Sequence, residues 1–229
     1  MTDPKTIAIA VVGGLVPALI WLWFWLREDK EKPEPKGLLA LTFIGGMAAV
    51  IFVLPLEKFA NTHIANQTTL LVVWSALEEI AKFAIVALIA LKTPFANEPI
   101  DYPIYFITTA LGFAALENTL FLLHPLSIGD GVVGLITGNL RFLGATLLHS
   151  AASALMGISM GLAFYKPRLA KKFYTVIGLL AAIALHGVFN FFIMRESGGS
   201  TISMFGFLWV VIIIIMLLFE KIRRISNIN

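Results

Sequence analysis

Residues 68–91 read TTLLVVWSALEEIAKFAIVALIAL. A helix crosses the hydrocarbon core of a bilayer with about 20 apolar residues, and this run is long enough to do so. Its only charged members are Glu78, Glu79 and Lys82, set in its middle. Each costs roughly 2.5–3.5 kcal/mol at mid-membrane on insertion scales, so a purely structural helix would not keep them. The stretch therefore predicts a membrane span that carries chemistry.

The chain around it repeats the apolar pattern. Further runs cover 7–26, 37–56, 103–123, 134–165, 173–194 and 202–219, so the expected fold is an all-α polytopic transmembrane bundle of about seven spans. Residues 1–229 form a single integral membrane domain, with the motif-bearing core at 68–194. The run 134–165 is long enough to tilt, protrude or break. The first run has one basic residue before it and charge after it, and reads as a retained helix, not a cleaved signal. Short polar links separate the runs: REDKEKPEPK at 27–36, a two-proline turn at 92–102, and a Gly/Pro turn at 124–133.

Composition agrees. The 229 residues are 59% hydrophobic and 14% charged, against about 45–50% and about 25% in soluble domains. That excludes an ordinary cytosolic enzyme, a disordered linker and a nucleic-acid module. The net charge of +3 comes from basic residues in the links, where it sets topology instead of binding a polyanion. Cysteine is absent, which removes disulfides, thiolate metal sites and a cysteine nucleophile.

With the N-terminus outside, twelve Lys and Arg fall in inner segments and only Lys5, Lys58 and Arg195 in outer ones. This positive-inside bias places the C-terminus in the cytoplasm. Trp21, Trp23 and Trp25 precede the first inner link and read as an interfacial belt.

Besides Glu78, Glu79 and Lys82, the spans hold Glu117, Arg141, His149 and His186. Five charged residues represent on the order of 12–18 kcal/mol of insertion cost. Three carboxylates face two cations, so balance requires a proton, a protonated histidine or a metal ion. Glu78 and Lys82 are four apart and share a helix face. Glu79 points about 100° away and needs another partner, with Arg141 on a neighbouring span as the candidate. Phe113 and Glu117, His149 and Ser153, and His186 and Asn190 repeat the four-residue spacing, so four helices each aim a polar group along one face.

Plainer roles exist for several of these groups. Lys82 and Arg141 serve as charge balancers, and Asn118 and Asn190 read equally well as packing groups. Ser153, Gly157 and Gly161 form a small-residue face for close helix packing. His63 and His124 fall in expected loops as solvated bystanders.

Four patterns now stand in order on separate spans: Glu78-Glu79-Ile80-Ala81-Lys82 (EExxK), Phe113 to Asn118 (FxxxEN), His149 to Ser153 (HxxxS) and His186 to Asn190 (HxxxN). In that order they resemble the PrsW family of intramembrane proteases, which is similar to the CAAX prenyl protease and bacteriocin-processing (CPBP/ABI) superfamily. The resemblance covers roughly residues 68–194 and implies peptide-bond hydrolysis in the membrane. By that analogy Glu78 activates water with Glu79 in support, His149 positions or shares the proton, and His186 and Asn190 polarise the scissile carbonyl. Glu117 occupies the position that is histidine in the CAAX proteases (FxxxH), so neither their mechanism nor their prenylated substrates transfer directly.

No serine lies in a G-x-S-x-G elbow and no aspartate lies within a span, which leaves a serine triad or aspartyl dyad without residues. Two histidines and a glutamate can form an open zinc site, here Glu78, His149 and His186. No HExxH pair exists, and a metal-free glutamate mechanism is placed ahead of zinc. Rival readings are a proton- or ion-coupled transporter, a non-catalytic membrane scaffold and a zinc-dependent membrane lipid hydrolase. Counting 1.5 Å per residue, Glu78 lies about 15 Å and Glu117 about 9 Å below the outer end of their spans. The expected substrate is a membrane-anchored protein, such as an anti-sigma factor, cut near its extracytoplasmic side.

Overall fold

The computed structural model describes residues 3–27, 32–131, 133, 144–194 and 201–226. Among them the chain folds into seven helices and no strand: α1 Pro4–Leu26, α2 Lys36–His63, α3 Gln67–Ile89, α4 Asp101–Ser127, α5 Thr146–Leu162, α6 Arg168–Met194 and α7 Thr201–Ser226. Helices satisfy their backbone polar groups internally, which a water-free bilayer core demands. Local signals set several ends. Asp3 caps α1 by accepting from Lys5 N, and Asn66 Oδ1 accepts from Thr69 N at 2.9 Å to start α3. Asp101 takes the amides of Asn97 and Glu98 at 2.8 and 2.6 Å, fastening the preceding turn to α4.

Five of these helices are long and apolar enough to cross a membrane unaided. The two others differ for separate reasons. In α3 the charges of Glu78, Glu79 and Lys82 interrupt the hydropathy, and α5 has only 17 residues. Of the expected run 134–165, α5 takes up Thr146–Leu162. Residues 134–143, with Arg141, lie outside the described residues, and α5 ends at Leu162. Two loop expectations also change. α2 continues through Pro55 to His63, which is its last residue, and α4 continues through Pro125, which places His124 in its final turn.

α4 is the central helix, with 72% of its apolar window buried against 17% for α1. Around the site the contacts close into a ring in the order α2, α3, α6, α5, α4 and back to α2. α1 packs on the outside of α4, and α7 on the outside of α5. The α1 tryptophans are not one belt: Trp23 is 62% exposed, whereas Trp25 is 1% exposed and stacks at 5.6 Å on Phe219 of α7. The small face of α5 is used for close approach, since a Cβ on Gly157 would overlap Pro103 at the start of α4. α2 and α4 meet backbone to backbone in the same manner. A Cβ on Gly46 would overlap the Thr109 carbonyl, and one on Gly112 would overlap that of Phe43.

Candidate active site

The polar groups of α3 face the inside of the ring because residues 75, 78, 79 and 82 fall on one helix side; Ser75, Glu78, Glu79 and Lys82 are all buried. Lys82 is the hub. Its Nζ lies 2.7 Å from Glu79 Oε1, 3.6 Å from Glu78 Oε2 and 2.9 Å from His149 Nδ1. It also sits 4.3 Å above the ring of Phe113. The expected Glu78–Lys82 pair forms, but Lys82 is closer to Glu79, three residues away. Glu79 is satisfied without Arg141. Besides Lys82 it accepts from Ser153 Oγ at 3.2 Å and from His186 Nδ1 at 2.9 Å.

These contacts fix the proton positions on both rings. Lysine only donates, so His149 Nδ1 accepts, and Nε2 carries the proton that His149 donates to Glu117 Oε2 at 3.0 Å. His186 donates Nδ1–H to Glu79, which leaves Nε2 as an acceptor. The rings meet edge to face with centroids 5.0 Å apart. Between them lies Glu78 Oε2, 3.8 Å from His149 Nδ1 and 3.8 Å from His186 Nε2. That oxygen is buried and has no hydrogen-bond partner.

A buried carboxylate oxygen that takes no hydrogen bond, with the Lys82 ammonium 3.6 Å away and an imidazole acceptor on each side, suits a cation. Glu78, His149 and His186 each offer a ligand atom, all within 4.8 Å of one another. Two histidines and a carboxylate form the donor set of an open catalytic zinc site. Each ring is also held through its other nitrogen by a carboxylate, Glu117 for His149 and Glu79 for His186, the outer-shell pattern that orients metal-binding histidines. The residues present fit such an ion.

The site borders a cavity of about 380 Å³ lined by all five ring helices. Glu78, Glu117, His149, His186 and Asn190 reach its wall, and Asn190 Nδ2 donates to Ser75 Oγ at 3.4 Å. Glu79, Lys82 and Ser153 are buried behind that wall. Asn118 stands apart: its amide donates to Thr146 Oγ1 at 2.9 Å and ties α4 to α5. His63 and His124 are exposed and take no part, His63 stacking on Phe59 at 4.1 Å.

One further acid was not singled out from the sequence. Glu57 lines the same cavity and its side chain interacts with that of Glu78, while its carbonyl accepts from Trp74 Nε1 at 3.2 Å. The signal was the helical spacing from Val50, Val53 and Leu54 through Pro55, masked by ending the span at residue 56.

Residues 34–219 match the PrsW family intramembrane metalloprotease. The chain belongs to the PrsW family. Relatives that carry the name Protease PrsW include those of Geobacillus kaustophilus, 26% identical over 202 residues (85% of this chain, 84% of the relative), and Shouchella clausii, 26% identical over 222 residues (95% and 97%). The Bacillus subtilis protein is 24% identical over 190 residues, covering 82% of this chain and 84% of its own length. No solved structure matches the chain. The PrsW match begins in the link before α2 and ends inside α7, so it takes in every helix of the ring.

Proposed function

We propose that this PrsW-family chain hydrolyses a peptide bond of a membrane-anchored protein at the cavity walled by Glu78, His149 and His186. Relatives named as proteases support the class of reaction. The single observation that supports this cavity as the place is the buried Glu78 oxygen, without a hydrogen bond, between two imidazoles whose far nitrogens are anchored by carboxylates.

In this reading Glu78, His149 and His186 would hold a divalent ion such as zinc. When bound, such an ion polarises a carbonyl and makes a strong nucleophile of water at neutral pH. The chain's own groups prepare the site. Glu117 keeps the proton on His149 Nε2 and Glu79 keeps the proton on His186 Nδ1, so each ring keeps its lone pair on the nitrogen nearer Glu78, that of His149 being shared with Lys82 Nζ. Lys82 offsets the buried negative charge. The Asn190 amide, on the cavity wall, is a donor for the scissile carbonyl oxygen as charge develops there. The apolar lining excludes bulk water, which strengthens these interactions.

A second reading has one observation in its favour: Lys82 Nζ already sits 2.9 Å from His149 Nδ1, where an ion would bind. There Glu78 Oε2 takes the proton of the attacking water without a metal, as in glutamate-type hydrolysis. The basic links and the depth count support a cut near the extracytoplasmic side of the substrate, for which an anti-sigma factor is the proposed kind. The test is to reconstitute the protein with a tagged single-pass substrate and map the new terminus by mass spectrometry. Cleavage that disappears in Glu78→Gln with normal folding supports the proposal. Undiminished cleavage in that variant overturns it.

A further inference from the structure

The cavity must be reached by a polypeptide that lives in the bilayer, and the ring of helices is not equally closed at every seam. On the α3 and α6 side the wall residues Leu71, Glu78, His186 and Phe189 are buried, and Trp74 and Asn190 are half-buried. On the α2 and α4 side Val50, Val53 and Phe113 are buried, whereas Leu54, Leu120 and Phe121 are 43%, 38% and 52% exposed. These two helices touch through Gly46 and Gly112, and beyond that crossing both contribute residues 50–57 and 113–121 to the cavity. The crossing is a fixed vertex, and the cavity occupies the opening of the V.

We infer that the peptide to be cut enters sideways from the lipid through the α2–α4 cleft, as an extended stretch of a membrane-anchored chain. This rests on the hydrolytic reading of the site. The rim is apolar, which suits a segment leaving hydrocarbon, whereas the carboxyls of Glu57, Glu78 and Glu117 line the cavity within. A helical segment keeps its amides tied up in its own hydrogen-bond ladder, so the segment presented to the site is taken as unwound. Unwinding exposes the amide that hydrolysis needs, and Leu54, Leu120 and Phe121 then select the side chains that flank it.

The chain contains no cysteine, so single cysteines report without background. Leu54→Cys, Leu120→Cys and Val210→Cys, the last at a lipid-exposed position on α7, are placed in the Glu78→Gln protein in vesicles. Each is labelled with a lipid-soluble maleimide, with and without a synthetic probe of about 20 leucine and alanine residues followed by a short Val/Thr/Ser tail. The expected result is at least fivefold slower labelling at positions 54 and 120 with the probe, and unchanged labelling at 210. Equal labelling at all three, or protection at 210 alone, overturns the entry route. Cleavage of the same probe by the unsubstituted protein is scored separately. Protection without cleavage leaves the route standing and counts against the hydrolytic reading. Cleavage without protection rejects the route and leaves that reading in place.

Discussion

His186 Nδ1 and Glu79 Oε1, 107 residues apart in the chain, are joined by a 2.9 Å hydrogen bond inside the bundle. The bond decides which nitrogen of His186 is left to face Glu78. In the proposed metal-assisted reading, removing such an outer partner of a ligand histidine typically costs 10–100-fold in affinity or activity. Glu79→Gln should therefore lower peptide hydrolysis by at least that factor, read as the cleavage rate of a reconstituted substrate. Activity within threefold of the parent would show that the anchor has no role.

The same carboxylate neutralises Lys82. Breaking a buried ion pair by removing one partner costs about 3–5 kcal/mol, so Lys82→Met should destabilise the bundle by that order. The double variant Glu79→Gln/Lys82→Met should be more stable than Lys82→Met alone and still inactive. Titration with a denaturing detergent, followed by loss of helicity, checks the first part, and a cleavage assay checks the second.

Metal content separates the two chemistries at Glu78. Purified protein should carry about one zinc or comparable ion per chain, and chelation should abolish cleavage until the ion is restored. His149→Ala and His186→Ala should each lose the bound ion. A fully active, metal-free preparation would instead support water activation by Glu78 beside Lys82.

Histidines outside the cavity supply the contrast. His63 and His124 are exposed, and His63→Ala and His124→Ala should cleave within about twofold of the parent while His149→Ala and His186→Ala lose more than 100-fold. An essential His63 or His124 would move the reaction away from the ring.

The α2–α4 vertex makes a purely structural prediction. Gly112→Ala drives a methyl into the Phe43 carbonyl and should cost about 3 kcal/mol or more, at the upper end of overpacking. Gly37→Ala meets nothing within 4 Å and should be neutral or slightly stabilising, because alanine is the better helix former. Yield of folded protein and detergent-unfolding midpoints compare the two.

Hydropathy and the four polar patterns made much of this legible. A bilayer leaves helices as the economical way to cross, so long apolar runs translate almost directly into α1, α2, α4, α6 and α7. Ionisable groups stand out in such runs because each is costly there, and that is how Glu78, Glu117, His149 and His186 came to notice. What one dimension hides is the partner. Glu79 was left looking for Arg141, whereas Lys82 bends back three residues to meet it. Asn118 shares a motif with Glu117 yet turns to Thr146, because adjacent residues on a helix point about 100° apart. Trp25 looked interfacial until α7 covered it with Phe219. Glu57 escaped attention because Pro55 reads as a helix end, although a proline can sit within a membrane helix whose neighbours re-satisfy the freed backbone.

The three charges that give α3 its chemistry also make it a poor membrane segment in its own right. On insertion scales Glu78, Glu79 and Lys82 together cost about 7.5–10.5 kcal/mol, and two of the groups that offset this, Ser153 and His186, belong to α5 and α6. His186 leaves the ribosome 107 residues after Glu79, a delay of about 5–20 s at ordinary elongation rates. Through that interval the partners of Glu79 arrive one at a time, Ser153 of α5 after 74 residues and His186 last. Folding and the proposed chemistry thus converge on one residue: a chain interrupted before α6 lacks both the last buried partner of Glu79 and one wall of the cavity proposed for cleavage.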